Sequence, residues 1–169
     1  MAMARQLWLL RHADAEPHGS RPDSERQLTQ RGEDQARTAG IALVRMGVSF
    51  GAIIASPKAR ARETAELALA QMSESQRELL ELHPLLAGGL RAREALDLLA
   101  GVSADGPLLL IGHEPDLSSV AGELAGGRVD LKKGGLLVVR LSGAGAELIL
   151  VLRPAELALI AGGVAVVEV

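Results

Sequence analysis

Residues 6–12 have the sequence Gln-Leu-Trp-Leu-Leu-Arg-His, an apolar run that ends in two basic side chains. A short apolar run of this kind predicts a strand buried inside a sheet. The strand is predicted over Gln6–Leu10, so that Arg11 and His12 follow at its carboxyl end. This stretch therefore predicts both a central strand and a pair of polar groups at the edge of the sheet.

Two further stretches repeat this pattern of an apolar run followed by polar residues. Ala52–Ala55 precedes Ser56–Pro57, and Leu108–Ile111 precedes Gly112–His113. Both runs predict buried strands. In sheets of this kind, ligands bind beyond the carboxyl ends of the strands. If the sheet is mostly parallel, we therefore expect the three strand ends to lie together at one edge of it.

Apolar residues at helical spacing predict helices between the strands. Thr29 is predicted to cap a helix that ends near Met46, and Ser56 to cap a second helix that starts at Pro57. The apolar stripe of the first helix is predicted to comprise Ala36, Ala39, Gly40, Leu43 and Val44. Three further helices are predicted: one over Arg91–Ala100, one that starts at Pro115 and a short one after Pro154. Leu136–Leu141 and Glu147–Leu152 are predicted to form a hairpin. Alternating strands and helices predict a sheet covered on both faces, with an antiparallel edge from the hairpin. The pattern of residues 79–90 fits either a short strand or an extended segment.

Composition excludes several classes of protein. The length of 169 residues predicts a single domain over 1–169. A net charge of −3 and only two aromatic residues, one Trp and one Phe, argue against nucleic acid as a partner. Cysteine is absent, which excludes disulfides, thiolate metal sites and a cysteine nucleophile. No signal or membrane-spanning segment is predicted, so we expect a cytoplasmic monomer without membrane contact.

The polar groups at the three predicted strand ends suit a bound oxyanion. Arginine offers paired donors that match phosphate oxygens, and neighbouring positive charge favours a neutral, nucleophilic imidazole. Arg60 shares a helix face with Thr64, whereas Arg62 lies about 200° around the helix and should point away. We therefore expect Arg11, His12, Arg60 and His113 to surround one phosphoryl group.

Four motifs in this order resemble the histidine phosphatase superfamily, which includes the phosphoglycerate mutases. They are Leu-Leu-Arg-His-Ala at 9–13, Leu-Thr-Gln-Arg-Gly-Glu-Asp-Gln-Ala at 28–36, Ser-Pro-Lys-Ala-Arg-Ala-Arg-Glu-Thr at 56–64, and Gly-His at 112–113. The short chain and its Arg-His-Ala-Asp-Ala sequence are most similar to SixA-type phosphohistidine phosphatases.

The resemblance implies a three-layer α/β/α fold with a mixed, mostly parallel sheet of about six strands. It implies a phosphatase in which His12 is the phosphorylated nucleophile and Arg11, Arg60 and His113 bind phosphate. It implies no metal and no cofactor. A metal hydrolase built on His12, His18, His113 and a carboxylate is a rival, although the chain lacks the close histidine spacing typical of such sites.

Two positions depart from the family pattern. Ala13 replaces the usual Gly, and an apolar residue, Leu85 or a neighbour, stands where many members carry a glutamate general acid; Glu81 and Glu94 do not match that position. Without an acid, an imidazole leaves more readily than an alkoxide. We therefore expect phosphohistidine on a protein partner as substrate, with a small phosphate ester or a non-catalytic phosphate-binding module as alternatives.

The remaining polar residues have open roles at this stage. Asp14 and His18 are possible auxiliary site residues, although ordinary loop positions explain both. Lys132 and Lys133 are predicted to lie on a solvated turn, with contact to an acidic partner as the alternative. Specificity is expected to depend on the loops at 14–27 and 83–90.

Overall fold

The computed structural model describes residues 5–102 and 105–163, where a six-stranded sheet lies between two layers of helices. The strands are β1 (Arg5–Arg11), β2 (Ala52–Ala55), β3 (Leu80–Leu82), β4 (Leu108–Gly112), β5 (Leu136–Ser142) and β6 (Gly145–Leu152). The helices are α1 (Gln30–Arg45), α2 (Ala59–Leu69), α3 (Glu74–Arg77), α4 (Ala92–Ala100), α5 (Asp116–Ala125) and α6 (Pro154–Ile160). Short 3₁₀ turns occur at Asp23–Glu25 and Pro84–Ala87.

The strand order across the sheet is β3-β2-β4-β1-β5-β6. β3, β2, β4 and β1 are parallel to one another, whereas β5 and β6 form an antiparallel hairpin at one side. The predicted α/β class with a mixed, mostly parallel sheet is therefore confirmed. The open region 79–90 contains both the short edge strand β3 and the second 3₁₀ turn.

The central strand β1 contributes to two separate cores. Trp8 and Leu10 pack in the core that α1, α2 and α6 cover, and Leu7 and Leu9 pack in the core that α4 and α5 cover. Alternate side chains of a strand point to opposite faces, so an uninterrupted apolar run is what a strand covered on both faces requires. In the described residues, no helix is long and apolar enough to span a bilayer.

The helix predictions hold except at two positions. Thr29 caps α1 as predicted, since its hydroxyl oxygen accepts a hydrogen bond from the Gly32 backbone N–H at 3.1 Å. The predicted capping by Ser56 is wrong, because α2 begins two residues beyond Pro57 and the Ser56 hydroxyl contacts His113 instead. Val44 was expected in the buried stripe of α1, but it is 47% exposed because it lies 100° around the helix from buried Leu43.

Close packing of α1 against α2 depends on a glycine. A Cβ atom added at Gly40 would lie 2.1 Å from the carbonyl oxygen of Ala68 on α2. This separation is far inside van der Waals contact, so any side chain would push the two helices apart. Helix α2 also carries Arg60, one of the residues expected to bind phosphate, so this contact bears on the position of that side chain.

We expect Gly40→Ala to lower the free energy of unfolding by about 1–3 kcal/mol, because overpacking outweighs the better helix propensity of alanine. Urea denaturation followed by circular dichroism measures the effect. Gly101→Ala is the matched control, since a Cβ atom there meets its nearest neighbour at 3.4 Å. A Gly40→Ala protein as stable as the control would contradict this account of helix packing.

Candidate active site

A cleft of about 170 Å³ lies at the carboxyl ends of the parallel strands. Its lining contains the four residues expected to bind a phosphoryl group, Arg11, His12, Arg60 and His113. The other lining residues are Ala15, Glu16, Pro17, His18, Arg26, Glu114 and Lys133. The cationic side chains outnumber the two carboxylates, so the cleft favours an anion although the chain as a whole is negative.

Backbone pairing at the ends of three strands brings the key residues together. Arg11 at the end of β1 is in register with Gly112 at the end of β4. The ladder continues past the strands, because the His12 N–H donates to the Gly112 carbonyl at 3.0 Å and the Ser56 N–H donates to the Ile111 carbonyl at 2.9 Å. The imidazole rings of His12 and His113 consequently lie with their centroids 5.3 Å apart.

The contacts of His12 define its protonation state. Its Nδ1 lies 2.7 Å from the Ala13 carbonyl oxygen, which only accepts hydrogen bonds, so Nδ1 carries a proton. Its Nε2 accepts a hydrogen bond from Arg60 Nε at 3.3 Å and therefore carries a lone pair. Burial, aided by Arg60, Arg11 and Lys133, lowers the pKa of His12 to about 4 against the opposing hydrogen bond to Ala13. His12 is thus a neutral imidazole whose Nε2 lone pair is directed to the side chain of Arg60.

Two buried donor groups at the cleft have no protein partner among the described residues. They are Arg11 Nε and His113 Nδ1. The rest of each side chain is anchored, since Arg11 donates through Nη1 to the Leu131 carbonyl at 2.9 Å and His113 Nε2 lies 2.8 Å from the Ser56 hydroxyl. An unsatisfied buried donor costs about 1–3 kcal/mol. A bound oxyanion would satisfy Arg11 Nε–H, and also His113 Nδ1 in the tautomer that places the proton there, whereas a cation would not satisfy Arg11.

His113 is also held neutral. Burial, with contributions from the neighbouring His12, Arg60 and Lys58, lowers its pKa to about 3, and the more distant Asp23 only partly opposes the shift. The imidazole of His113 therefore carries one proton across the physiological range.

Asp23 connects the loop after β1 to the start of α2. Its carboxylate binds Lys58 at 2.9 Å, Arg26 at 2.9 Å and Arg60 at 3.4 Å, and its backbone carbonyl accepts from Arg60 Nη1 at 2.7 Å. The hydrogen bond from Lys58, together with Arg26 and Arg60, holds the pKa of this carboxyl well below its usual range despite partial burial. Because Asp23 holds the two terminal nitrogens of Arg60, the Nε–H is the group that faces His12.

The segment at 28–36 clamps the chain that follows His12. The Asp14 carboxylate accepts from the Thr29 hydroxyl at 2.7 Å, and the Asp14 backbone N–H donates to Gln35 Oε1 at 2.9 Å. A Cβ atom at Gly32 would lie 1.9 Å from the Asp14 carbonyl oxygen. This motif therefore contributes no side chain to the cleft itself but fixes the backbone at its entrance.

The two possible auxiliary residues have different surroundings. Asp14 does not belong to the cleft lining, and Lys133 at 3.4 Å joins Thr29 in binding its carboxylate. These groups hold the pKa of Asp14 below its usual value although burial opposes the shift. His18 lines the cleft with its side chain 87% exposed, 4.0 Å from Asp23. An auxiliary role for either residue stays a prediction.

Several cleft residues lie where sequence reasoning did not place them. Lys133, expected on a solvated turn, lines the cleft because β5 runs antiparallel to β1 and therefore starts beside the end of β1. Buried Arg26 also lines the cleft, and Asp23 joins it to Arg60. The loop at 83–90 contributes no residue to the cleft lining, although Leu86 lies beside Gly112 at the end of β4, so its role in specificity stays a prediction.

Among the described residues, no group of three or more histidine and carboxylate side chains has an arrangement suited to a metal ion. His12 uses both ring nitrogens for protein contacts and His113 uses one, and three arginines and Lys133 line the same cleft. The N–H groups of the arginines and Lys133 suit an anion rather than a metal ion.

Comparison with known proteins assigns the family. The family model of the histidine phosphatase superfamily, branch 1, matches residues 7–97. The chain belongs to this superfamily. An uncharacterised protein of Picosynechococcus is 33% identical over 151 residues, which cover 82% of this chain and 86% of that protein.

Solved structures of the histidine phosphatase fold are similar over nearly their whole length. The protein histidine phosphatase SixA complexed with tungstate superposes with a TM-score of 0.76 at 24% identity, covering 90% of this chain and 99% of that one. A candidate SixA phosphohistidine phosphatase from Nakamurella multipartitia is 28% identical with a TM-score of 0.72, covering 90% of this chain and 98% of that one. An alpha-ribazole phosphatase from Shigella flexneri has a TM-score of 0.70 at 19% identity, covering 88% and 96%. At such low identity, the first and third matches concern the fold alone.

The depressed pKa values of the two buried histidines predict an acid-sensitive fold. Between pH 6.5 and pH 5, the unfolded chain takes up protons at both positions whereas the folded chain does not. The free energy of unfolding should therefore fall as the pH decreases, by up to about 1.4 kcal/mol per pH unit for each histidine. Urea titrations at several pH values measure the slope.

The double variant His12→Asn/His113→Asn should flatten this slope. His18→Asn is the control, because this imidazole is largely exposed and should leave the slope unchanged. Equal slopes for the double variant and the wild type would show that the buried histidines do not cause the acid sensitivity.

Proposed function

We propose that this protein is a metal-independent phosphatase that forms a covalent phosphohistidine at His12 and acts on phosphohistidine in a protein partner. The observation that carries the proposal is the Nε2 lone pair of a neutral His12, which lies beside Arg60 in a cleft with unsatisfied donors on Arg11 and His113. A nucleophile and the donors for the oxygens of its target thus occur in one small volume.

Each of the four residues has a chemical task in this proposal. The His12 Nε2 lone pair attacks phosphorus, and the bond from phosphorus to the leaving nitrogen or oxygen breaks. Arg11, Arg60 and His113 donate hydrogen bonds to the equatorial oxygens, where negative charge grows in the transition state. Water then cleaves the phosphorus–nitrogen bond on His12, releasing inorganic phosphate and restoring the neutral imidazole.

The surroundings of the carboxylates support phosphohistidine as the preferred substrate. Glu16 and Glu114 line the cleft, but Glu16 binds Arg21 at 2.7 Å and Glu114 accepts from the Ser118 backbone N–H at 3.0 Å. The position expected for a general acid, Leu85 or a neighbour, is apolar, and no residue of 83–90 lines the cleft. An alkoxide needs a proton donor to leave, whereas the imidazole of phosphohistidine departs already protonated.

The openness of the site supports a protein substrate. The entrance carries exposed side chains such as His18 and Lys133, and the cleft volume of about 170 Å³ is small for enclosing a metabolite. A phosphorylated imidazole on a protein surface needs only its phosphoryl group to enter. The cationic entrance of the cleft also suits a partner protein whose phosphorylated surface is acidic.

Trapping of the intermediate tests the catalytic part of the proposal. Brief incubation with ³²P-labelled phosphohistidine protein and rapid denaturation should leave an acid-labile, alkali-stable label on wild-type protein. His12→Ala should carry no label and lose turnover, because the attacking nitrogen is gone. His83→Ala is the control. Because His83 lies outside the cleft lining, this variant should keep both the label and the turnover.

Label retained in His12→Ala would refute the assignment of the nucleophile. Chelator should leave labelling and turnover of the wild type unchanged; loss that is restored by added metal would support a metal hydrolase instead.

A leaving-group series tests the substrate class. We expect kcat/KM for a phosphohistidine protein to exceed that for alkyl phosphates by at least about tenfold, because no unengaged carboxyl group lies in the described cleft. The kcat/KM for aryl phosphates, whose leaving groups need less protonation, should lie between these two values. Equal or faster turnover of alkyl phosphates would instead identify a phosphatase of small esters, and failure to turn over any member would favour a phosphate-binding module.

A further inference from the structure

Ser56 is a fully buried hydroxyl residue at the end of β2. It precedes α2 but does not cap that helix, so helix capping does not explain a hydroxyl at this position. Its Oγ atom has two neighbours at hydrogen-bonding distance: the Lys58 backbone nitrogen at 3.2 Å and His113 Nε2 at 2.8 Å. Ser56 therefore lies between the start of the helix that carries Arg60 and the second histidine of the cleft.

The hydrogen atoms in this contact can be assigned by accounting for donors and acceptors. The Lys58 backbone N–H is a donor, so it uses a lone pair of the Ser56 oxygen. The Ser56 hydroxyl hydrogen then needs an acceptor, and among the described contacts only His113 Nε2 provides one. If Nε2 carried the proton instead, the buried hydroxyl hydrogen would have no acceptor, at a cost of about 1–3 kcal/mol.

This assignment determines the other face of the His113 ring. A neutral imidazole carries one proton, so a lone pair at Nε2 places the proton on Nδ1. His113 Nδ1 is buried at the cleft and has no partner among the described residues. The result is an N–H group available to an oxygen atom of a bound phosphoryl group.

We propose that Ser56 is a positioning residue, whose hydroxyl holds His113 in the Nδ1–H tautomer and so supplies one of the phosphoryl-binding donors. The proposal rests on the proposed function, since it assigns this donor to the same phosphoryl group that His12 attacks. His12 and His113 then have the same tautomer but opposite tasks. His12 offers its Nε2 lone pair to phosphorus, and His113 offers its Nδ1–H to oxygen.

The tautomer of the wild-type protein can be measured directly. Long-range ¹H–¹⁵N correlation spectra distinguish protonated from unprotonated ring nitrogens, and the chain contains only four histidines to assign. We expect His113 to show a protonated Nδ1 and an unprotonated Nε2 at pH 7. A protonated Nε2 would overturn the proposal whatever the activity of the protein.

A double-mutant cycle tests whether Ser56 acts through His113. Ser56→Ala should lower kcat/KM by about 10- to 100-fold and weaken inhibition by orthovanadate, because His113 loses the contact that selects its tautomer. In the His113→Ala background, Ser56→Ala should have almost no further effect on either quantity. Ser56→Thr, which keeps the hydroxyl, should restore the wild-type tautomer spectrum.

Ser118→Ala is the matched control, because it removes another buried hydroxyl that has no hydrogen-bond partner in the described residues. It should leave kcat/KM, orthovanadate inhibition and the His113 spectrum unchanged. Equal losses from Ser56→Ala with and without His113 would show a general structural role and overturn the proposal. If Ser56→Ala does not fold, the His113 tautomer measured in the wild-type protein tests the proposal by itself. A wild type inactive on every phosphate would instead refute the proposed function, and the tautomer measurement does not depend on that result.

Discussion

The parallel pairing of β1, β4 and β2 is the constraint on which the site depends. Pairing of Arg11 with Gly112 and of Ala55 with Ile111 brings three strand ends to one edge of the sheet. Backbone hydrogen bonds beyond the last paired residues then hold His12 and Ser56 beside the chain that carries His113. A register shift of one residue would turn each of these side chains to the opposite face of the sheet.

The arrangement of polar groups at this edge of the sheet lowers the stability of the folded state. Two imidazoles are buried as neutral rings, and donors on Arg11 and His113 have no partner among the described residues. Hydrophobic cores on both faces of the sheet provide the stability that allows such an arrangement. The same feature that is expected to weaken the fold in acid leaves a lone pair and N–H groups at one cleft, which is the arrangement that the proposed phosphatase reaction needs.

The loop after β1 is held by hydrogen bonds and charged pairs as well as by a small apolar cluster of Ala13, Leu28 and Ala36. Asp23 binds Lys58, Arg26 and Arg60, and Asp14 binds Thr29 and Lys133. Apart from the local Asp23–Arg26 pair, these contacts join distant parts of the chain and could not be predicted, because an aspartate in an irregular loop carries no periodic signal of its partner. Lys133 was missed for a related reason, since only the antiparallel direction of β5 places its turn beside the end of β1.

The sequence by itself determined the class of the fold, the three buried strands and the four residues expected around the oxyanion. Apolar runs and helical spacing are local properties, and polar residues directly after such strands share an edge whenever the strands are parallel. Only the tertiary structure decided which neighbours those residues have. The Ser56 contact with His113, the hold of Asp23 on Arg60 and the exposure of Val44 arise from segments far apart in the chain or from the rotation of a helix against its core. Such contacts depend on distances of a few ångströms, which residue patterns do not encode.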